Sequence, residues 1–203
     1  MAILEAGDIG RYLLDPAIMM AAQVFLGCIF LAAAVGKMRA WAQFQGVVQN
    51  YRILPPPLAA AFAYLLPPFE LATGAGLLIP TALPVAGSAA AALLLVFSAA
   101  IAINVARGRT DIDCGCFQAA FRQHLSWWLV LRNVVMAALA VAAALAATGS
   151  ATGRAIGALD IAAAMVSGLA LFALYTAANT LSALAELPMP NARPAGPAEE
   201  TQA

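Results

Sequence analysis

The sequence predicts an all-α fold: a polytopic transmembrane helical bundle of about five spans. Three observations carry that expectation. Of 203 residues, 64% are hydrophobic and only 10% are charged, against roughly 45–50% and about 25% in an ordinary soluble domain. The apolar residues gather into runs of about 20, the length a helix needs to cross a hydrocarbon core of about 30 Å. Lys and Arg concentrate in two of the connecting segments, as the charges that orient a membrane protein do. A barrel would instead show short segments of alternating polarity.

The same composition excludes whole classes of function. Ten Lys+Arg balance ten Asp+Glu, so no basic excess is available for nucleic acid. One His cannot build a bis-His haem or a three-His metal site. Three Cys are too few for a disulfide-stapled scaffold.

Taken in order, the spans run over Ala17–Gly36, Leu58–Ile79, Pro84–Ala106, Trp127–Ala147 and Ile161–Leu184. The first is read as a retained helix and not as a cleaved signal, because Glu5, Asp8 and Asp15 precede it against only Arg11, and its apolar run is too long. Between Arg39 and Arg52, the residues Trp41, Phe44, Val47, Val48 and Tyr51 recur at helical spacing. That pattern suggests a short amphipathic helix anchored in the membrane interface. Residues 1–184 are expected to form one bundle. The tail from 185 to 203, with Pro188, Pro190, Pro194, Pro197, Glu199 and Glu200, reads as disordered. The segment 37–57 carries Lys37, Arg39 and Arg52, and the segment 107–125 carries Arg107, Arg109 and Arg122, whereas the opposite side has Arg11 and Arg154. By the positive-inside rule both long loops and the C-terminus face the cytoplasm and the N-terminus faces outward. The lipid bilayer is thus one partner.

Inside the spans the costly groups are few. Glu70 lies near the middle of the second, where an unpaired carboxylate costs several kcal/mol or more. Pro67 and Pro68 just before it predict a broken helix that restarts with Glu70 in its first turn. Glu70 is then either a proton or ligand site, or one half of an interhelix hydrogen bond or ion pair that fixes the bundle. Arg132 and Asn133 enter the fourth span from the positive side. There Arg132 can snorkel to headgroups or pair with Glu70. Asn104 and Asn179 can satisfy each other or the backbone, and Asp160 is placed to cap the fifth span.

The segment Arg107-Gly-Arg-Thr-Asp-Ile-Asp-Cys-Gly-Cys-Phe117 holds the chemistry. Cys114 and Cys116 flank Gly115 on a polar loop, whereas Cys28 sits in the first span as an apolar residue. Gly115 lets the backbone bend enough for a small, strained and readily exchanged disulfide ring. Arg107, Arg109, Arg122 and His124 favour a thiolate there, while Asp111 and Asp113 oppose it. Three readings stay open for the pair: redox exchange, a metal site built from Cys114, Cys116 and His124 with Asp113, and a structural or unpaired role. Cys-His nucleophilic catalysis lacks an orienting third residue. One surface pair plus Cys28 cannot form two intramolecular disulfides, so redox work would need a second dithiol from a partner or a direct small-molecule acceptor.

Two sets of residues resemble known families. Gly36-Lys37 with Phe44, Tyr51, Leu54-Pro55, Glu70-Leu71, Gly74 and Gly76 resembles the DoxX-like membrane proteins, which share a four-helix core. Arg107-Gly-Arg, Ile112-Asp113-Cys114-Gly115-Cys116-Phe117 and Leu131-Arg132-Asn133 resemble the MauE family of methylamine utilization. The resemblance covers roughly residues 17–145, and Gln118 departs from the family's frequent Gly after the Phe. It implies a cytoplasmic (inner) membrane helper for maturation of the disulfide-rich small (beta) subunit of methylamine dehydrogenase, by processing, transport or disulfide formation, alongside MauD, a thioredoxin-like protein. Cys114 and Cys116 match its Cys-Gly-Cys, which implies that they are the redox pair of an accessory to thiol-disulfide chemistry. Glu70, Arg132 and Asn133 form a buried polar set. The alternatives are a non-redox scaffold or export factor for that subunit, and a small DoxX-like oxidoreductase subunit that takes a quinone at Glu70. A helper for a periplasmic subunit needs its thiols outside, whereas the charge asymmetry places that loop in the cytoplasm.

Overall fold

The computed structural model describes residues 15–112, 124–148 and 157–185. Cys114, Cys116, Asp113, Arg122 and the tail from 186 onward lie outside these. Six helices form: α1 (Pro16–Arg39), α2 (Trp41–Asn50), α3 (Pro56–Leu77), α4 (Leu83–Ala106), α5 (Trp127–Thr148) and α6 (Ala158–Ala185). No strand occurs among the described residues. All but α2 are long and apolar enough to cross a membrane. The outward faces of these helices carry large apolar side chains such as Leu65, Phe69, Val85, Leu145 and Leu174, which need lipid as solvent.

Helix α1 starts where Asp15 Oδ1 accepts the Ala17 N–H at 2.9 Å and Pro16 fills the first turn. It packs against α3, α5 and α6 and is the most enclosed span. Because lipid is as apolar as Leu, association here depends on close backbone approach. A Cβ added at Gly74 would stand 3.0 Å from the Leu31 backbone N, and one at Gly87 3.0 Å from the Ala140 carbonyl O. The α1–α3 and α4–α5 contacts are therefore built on small residues. Around them Leu26, Phe30, Leu77, Leu94 and Met136 make the main core. Helix α6 leans on α1 through Gly168, where a Cβ would come within 2.6 Å of Val24 Cβ.

One expectation changes and another gains a packing partner. Helix α3 is continuous from Pro56 to Leu77, with Pro67 and Pro68 inside it. Each proline removes one backbone donor, but packing against α1, α2 and α4 holds the helix through the gap. Glu70 therefore sits in mid-helix and not in a restarted first turn. The amphipathic segment does form α2, after a bend at Ala40, but it runs on beside α3. The Trp41 ring stands edge-on to Tyr64 with centroids 5.6 Å apart, and Phe44 packs on Ala63 and Leu66. Its apolar face looks into the bundle.

The end of α4 closes in a Schellman turn. Gly108 takes φ +71° and donates to the Val105 carbonyl at 3.0 Å, and the Arg109 N–H donates to Asn104 O at 3.0 Å. Arg109 then reaches the last carbonyls of α2, donating through Nη2 to Asn50 O at 2.8 Å and through Nη1 to Tyr51 O at 3.4 Å. The Leu125 N–H bonds to Thr110 O at 3.0 Å, and Ile112 packs on Ile101, Leu125 and Leu129. Both ends of the 113–123 segment are thus fastened at one place on the bundle. At α6, Asp160 belongs to the first turn and accepts from the Gly157 N–H at 3.0 Å, reaching back over a helix that starts earlier than the apolar run.

Candidate functional site

The last turn of α1 and the middle of α3 lie side by side, and there Lys37 donates to Glu70 Oε1 in an ion pair shut inside the bundle. Lys37 is 7% exposed and Glu70 1%. Phe44 of α2 and Phe97 of α4 flank the ammonium, their ring centroids 5.5 and 5.3 Å from Nζ, so two ring faces replace part of its lost hydration. Glu70 Oε2 has no hydrogen-bond partner.

Around the pair lies a cavity of about 420 Å³ to which every helix contributes a wall. Besides Lys37 and Glu70, its polar lining is Tyr51, Arg132, Asn133 and Tyr175, and the rest is apolar. Ser98 Oγ donates to the Val130 carbonyl at 3.3 Å, which sets residues 97–98 of α4 level with 130–132 of α5. Phe97 touches Lys37, so Arg132 lies close to the level of the ion pair.

Arg132 does not pair with Glu70, one of its two expected roles. Its Nη1 donates to Asn179 Oδ1 at 3.1 Å, and its guanidinium lies over the Tyr175 ring at 5.4 Å. Both partners are one turn apart on α6, so the fifth span holds this cation in place. Its Nε has no hydrogen-bond partner, nor has Nδ2 of Asn133, which is 3% exposed. Of the two roles expected for Asn104 and Asn179, pairing with each other or with the backbone, the backbone one holds, each donating one turn back along its own helix, Asn179 to Tyr175 O at 2.7 Å. Asn104 donates to Ala100 O at 3.1 Å and accepts from Arg109 at 3.3 Å, while Asn179 serves Arg132.

Of the predicted site residues, the structure brings Glu70, Arg132 and Asn133 to one cavity. Cys114 and Cys116 lie outside the described residues. His124 is exposed with Asp111 4.0 Å away, and no cluster of three metal-ligating side chains occurs among the described residues. Cys28 is a free, half-buried thiol. Sequence reasoning missed Lys37, which it counted as a loop charge, together with the aromatic walls Phe97 and Tyr175. The available signal was that Lys37 directly continues the first apolar run with no polar spacer.

Five long apolar helices around a buried ion pair and a mostly apolar cavity with a few polar groups define a multi-pass membrane protein with an intramembrane site. Residues 15–147 match the family model described as methylamine utilisation protein MauE, and the chain belongs to that family. It is 44% identical to the methylamine utilization protein MauE of Paracoccus denitrificans over 174 residues, covering 85% of this chain and 91% of that one. To the Methylorubrum extorquens protein of the same name it is 42% identical over 173 residues, again 85% and 91% of the two chains. To that of Methylophilus methylotrophus it is 43% identical over 128 residues, 63% of this chain and 67% of the relative. No solved structure matches the chain.

Proposed function

We propose that this protein, a membrane component of methylamine utilization, assists maturation of the disulfide-rich small subunit of methylamine dehydrogenase by thiol-disulfide exchange at Cys114 and Cys116. Family membership supports the metabolic setting. The observation that carries the chemistry is the Cys-Gly-Cys on a segment whose two ends are fastened together by the Leu125–Thr110 hydrogen bond. The flanking residues Ile112 and Leu125 are thereby held together on the bundle.

In the exchange, a thiolate of a thioredoxin-like partner attacks one sulfur of a Cys114–Cys116 disulfide and displaces the other as thiolate. The partner's second thiolate then resolves the mixed disulfide. Two electrons pass to this chain, whose pair becomes a dithiol, and the partner leaves as a disulfide. The same steps run in reverse transfer oxidation the other way. The setting is the inner membrane; charge asymmetry favours a cytoplasmic arginine-rich end, and from there the pair serves a periplasmic subunit by passing electrons across the membrane or by being reached through the bundle.

The test replaces Cys114 and Cys116 by Ser together and follows the redox state of the dehydrogenase small subunit in cells. Loss of its disulfides is expected. Full maturation in the double variant leaves the non-redox scaffold in its place.

A further inference from the structure

Intramembrane charges are expensive and are normally paired. Inside this bundle Lys37 and Glu70 neutralise each other, which leaves Arg132 as a cation whose protein partners, Asn179 and Tyr175, are both uncharged. Among the described residues no carboxylate stands within 4.0 Å of it. Its Nε–H is buried without an acceptor, and the neighbouring Asn133 offers an unpartnered Nδ2 from a side chain that is 3% exposed. Both residues line the cavity of about 420 Å³, whose other walls are mostly aliphatic and aromatic, including Ile29, Leu94, Phe97 and Met136. Its volume lies in the range of pockets that enclose a small ligand, about 300–1,000 Å³.

Unmet donors ask for an acceptor, an uncompensated guanidinium asks for a negative one, and greasy walls ask for a chain. We infer that the cavity binds an anionic amphiphile, its carboxylate or phosphate head on Arg132 and Asn133 and its hydrocarbon along the apolar walls. A guanidinium suits both heads, since it presents its N–H groups in a planar fork matched to two oxygens. The Lys37–Glu70 pair closes one side of the head site. Lys37 neutralises the Glu70 charge, although Glu70 Oε2 keeps no hydrogen-bond partner, so the anionic head sits on the Arg132 and Asn133 side. The inference does not depend on thiol exchange at Cys114 and Cys116.

The test uses the full chain purified in a neutral maltoside detergent, with radiolabelled oleate as probe at neutral pH. Saturable binding at one oleate per chain is expected. Monoolein, which has the same chain on an uncharged head, and a short-chain ubiquinone should compete poorly. Arg132→Gln should weaken oleate about tenfold, the value of one charge-assisted hydrogen bond, and Arg132→Lys should recover part of the loss. Displacement by phosphatidylglycerol identifies a bilayer lipid as the source of the head, and failure to displace identifies a free acid. Absence of saturable binding, or monoolein or ubiquinone competing as well as unlabelled oleate, overturns the inference on the unaltered protein. Unchanged affinity in a folded Arg132→Gln variant overturns it as well.

Discussion

Lys37 and Glu70 stand 33 residues apart in sequence, yet they form the one ion pair buried among the described residues, between the end of α1 and the middle of α3. Neither charge is tolerable alone at that depth. Each is therefore the physical reason the other is there.

Removing one partner strands the other. Lys37→Met or Glu70→Met should each cost about 3–5 kcal/mol, whereas the double replacement should return stability to near that of the parent, because two apolar side chains need no desolvation. Thermal unfolding of the detergent-solubilised protein checks this. Equal destabilisation by single and double variants would mean the pair does not act as a unit.

Helix α6 should be the easiest span to detach, since it meets the bundle mainly through α1 and its span is the least enclosed. Gly168→Leu forces a side chain into a space already 2.6 Å from Val24 Cβ. Overpacking of this kind should cost about 1–3 kcal/mol and raise protease sensitivity between α5 and α6. By contrast, Gly46 in α2 has nothing within 4 Å of an added Cβ, and Gly46→Ala should stabilise by about 0.5–1 kcal/mol.

The turn after α4 ties the cysteine segment to α2. Gly108→Ala places a Cβ at φ +71° and should cost about 1–2 kcal/mol. Arg109→Ala removes the donor to Asn50 and Tyr51. Both changes should speed amide exchange at Leu125, whose N–H depends on Thr110 staying in place. Unaltered exchange at Leu125 would show that the loop ends are held by Ile112 packing alone.

Orientation follows from charge, with one adjustment. Lys37 faces inward and no longer counts as a loop charge, so five cations remain in the two loops assigned to the proposed cytoplasmic side, against two opposite. A cysteine placed at Thr110 in a background lacking the three native cysteines should react slowly with a membrane-impermeant maleimide on intact spheroplasts and quickly after permeabilisation. Rapid labelling of intact spheroplasts would invert the topology.

How much of this was legible in the chain differs from feature to feature. Helices α1, α3, α4, α5 and α6 lie where the apolar runs place them, because crossing a hydrocarbon core sets a minimum length that composition alone reveals. The cost of burying Glu70 was equally plain, since solvation energy belongs to the residue and not to its neighbours. Its partner was not. Local signals at Pro67 and Pro68 argued for a broken helix, but packing against neighbouring helices carries α3 through both prolines. Snorkelling and pairing with Glu70 were both open for Arg132, but its partners Asn179 and Tyr175 come from a helix some 45 residues onward. The sequence by itself determined the solvent, the number of spans and which groups are costly to bury. Only the tertiary structure decided which of them meet, because pairing depends on the register of helices packed through Gly74, Gly87 and Gly168, and that register is a property of surfaces in contact.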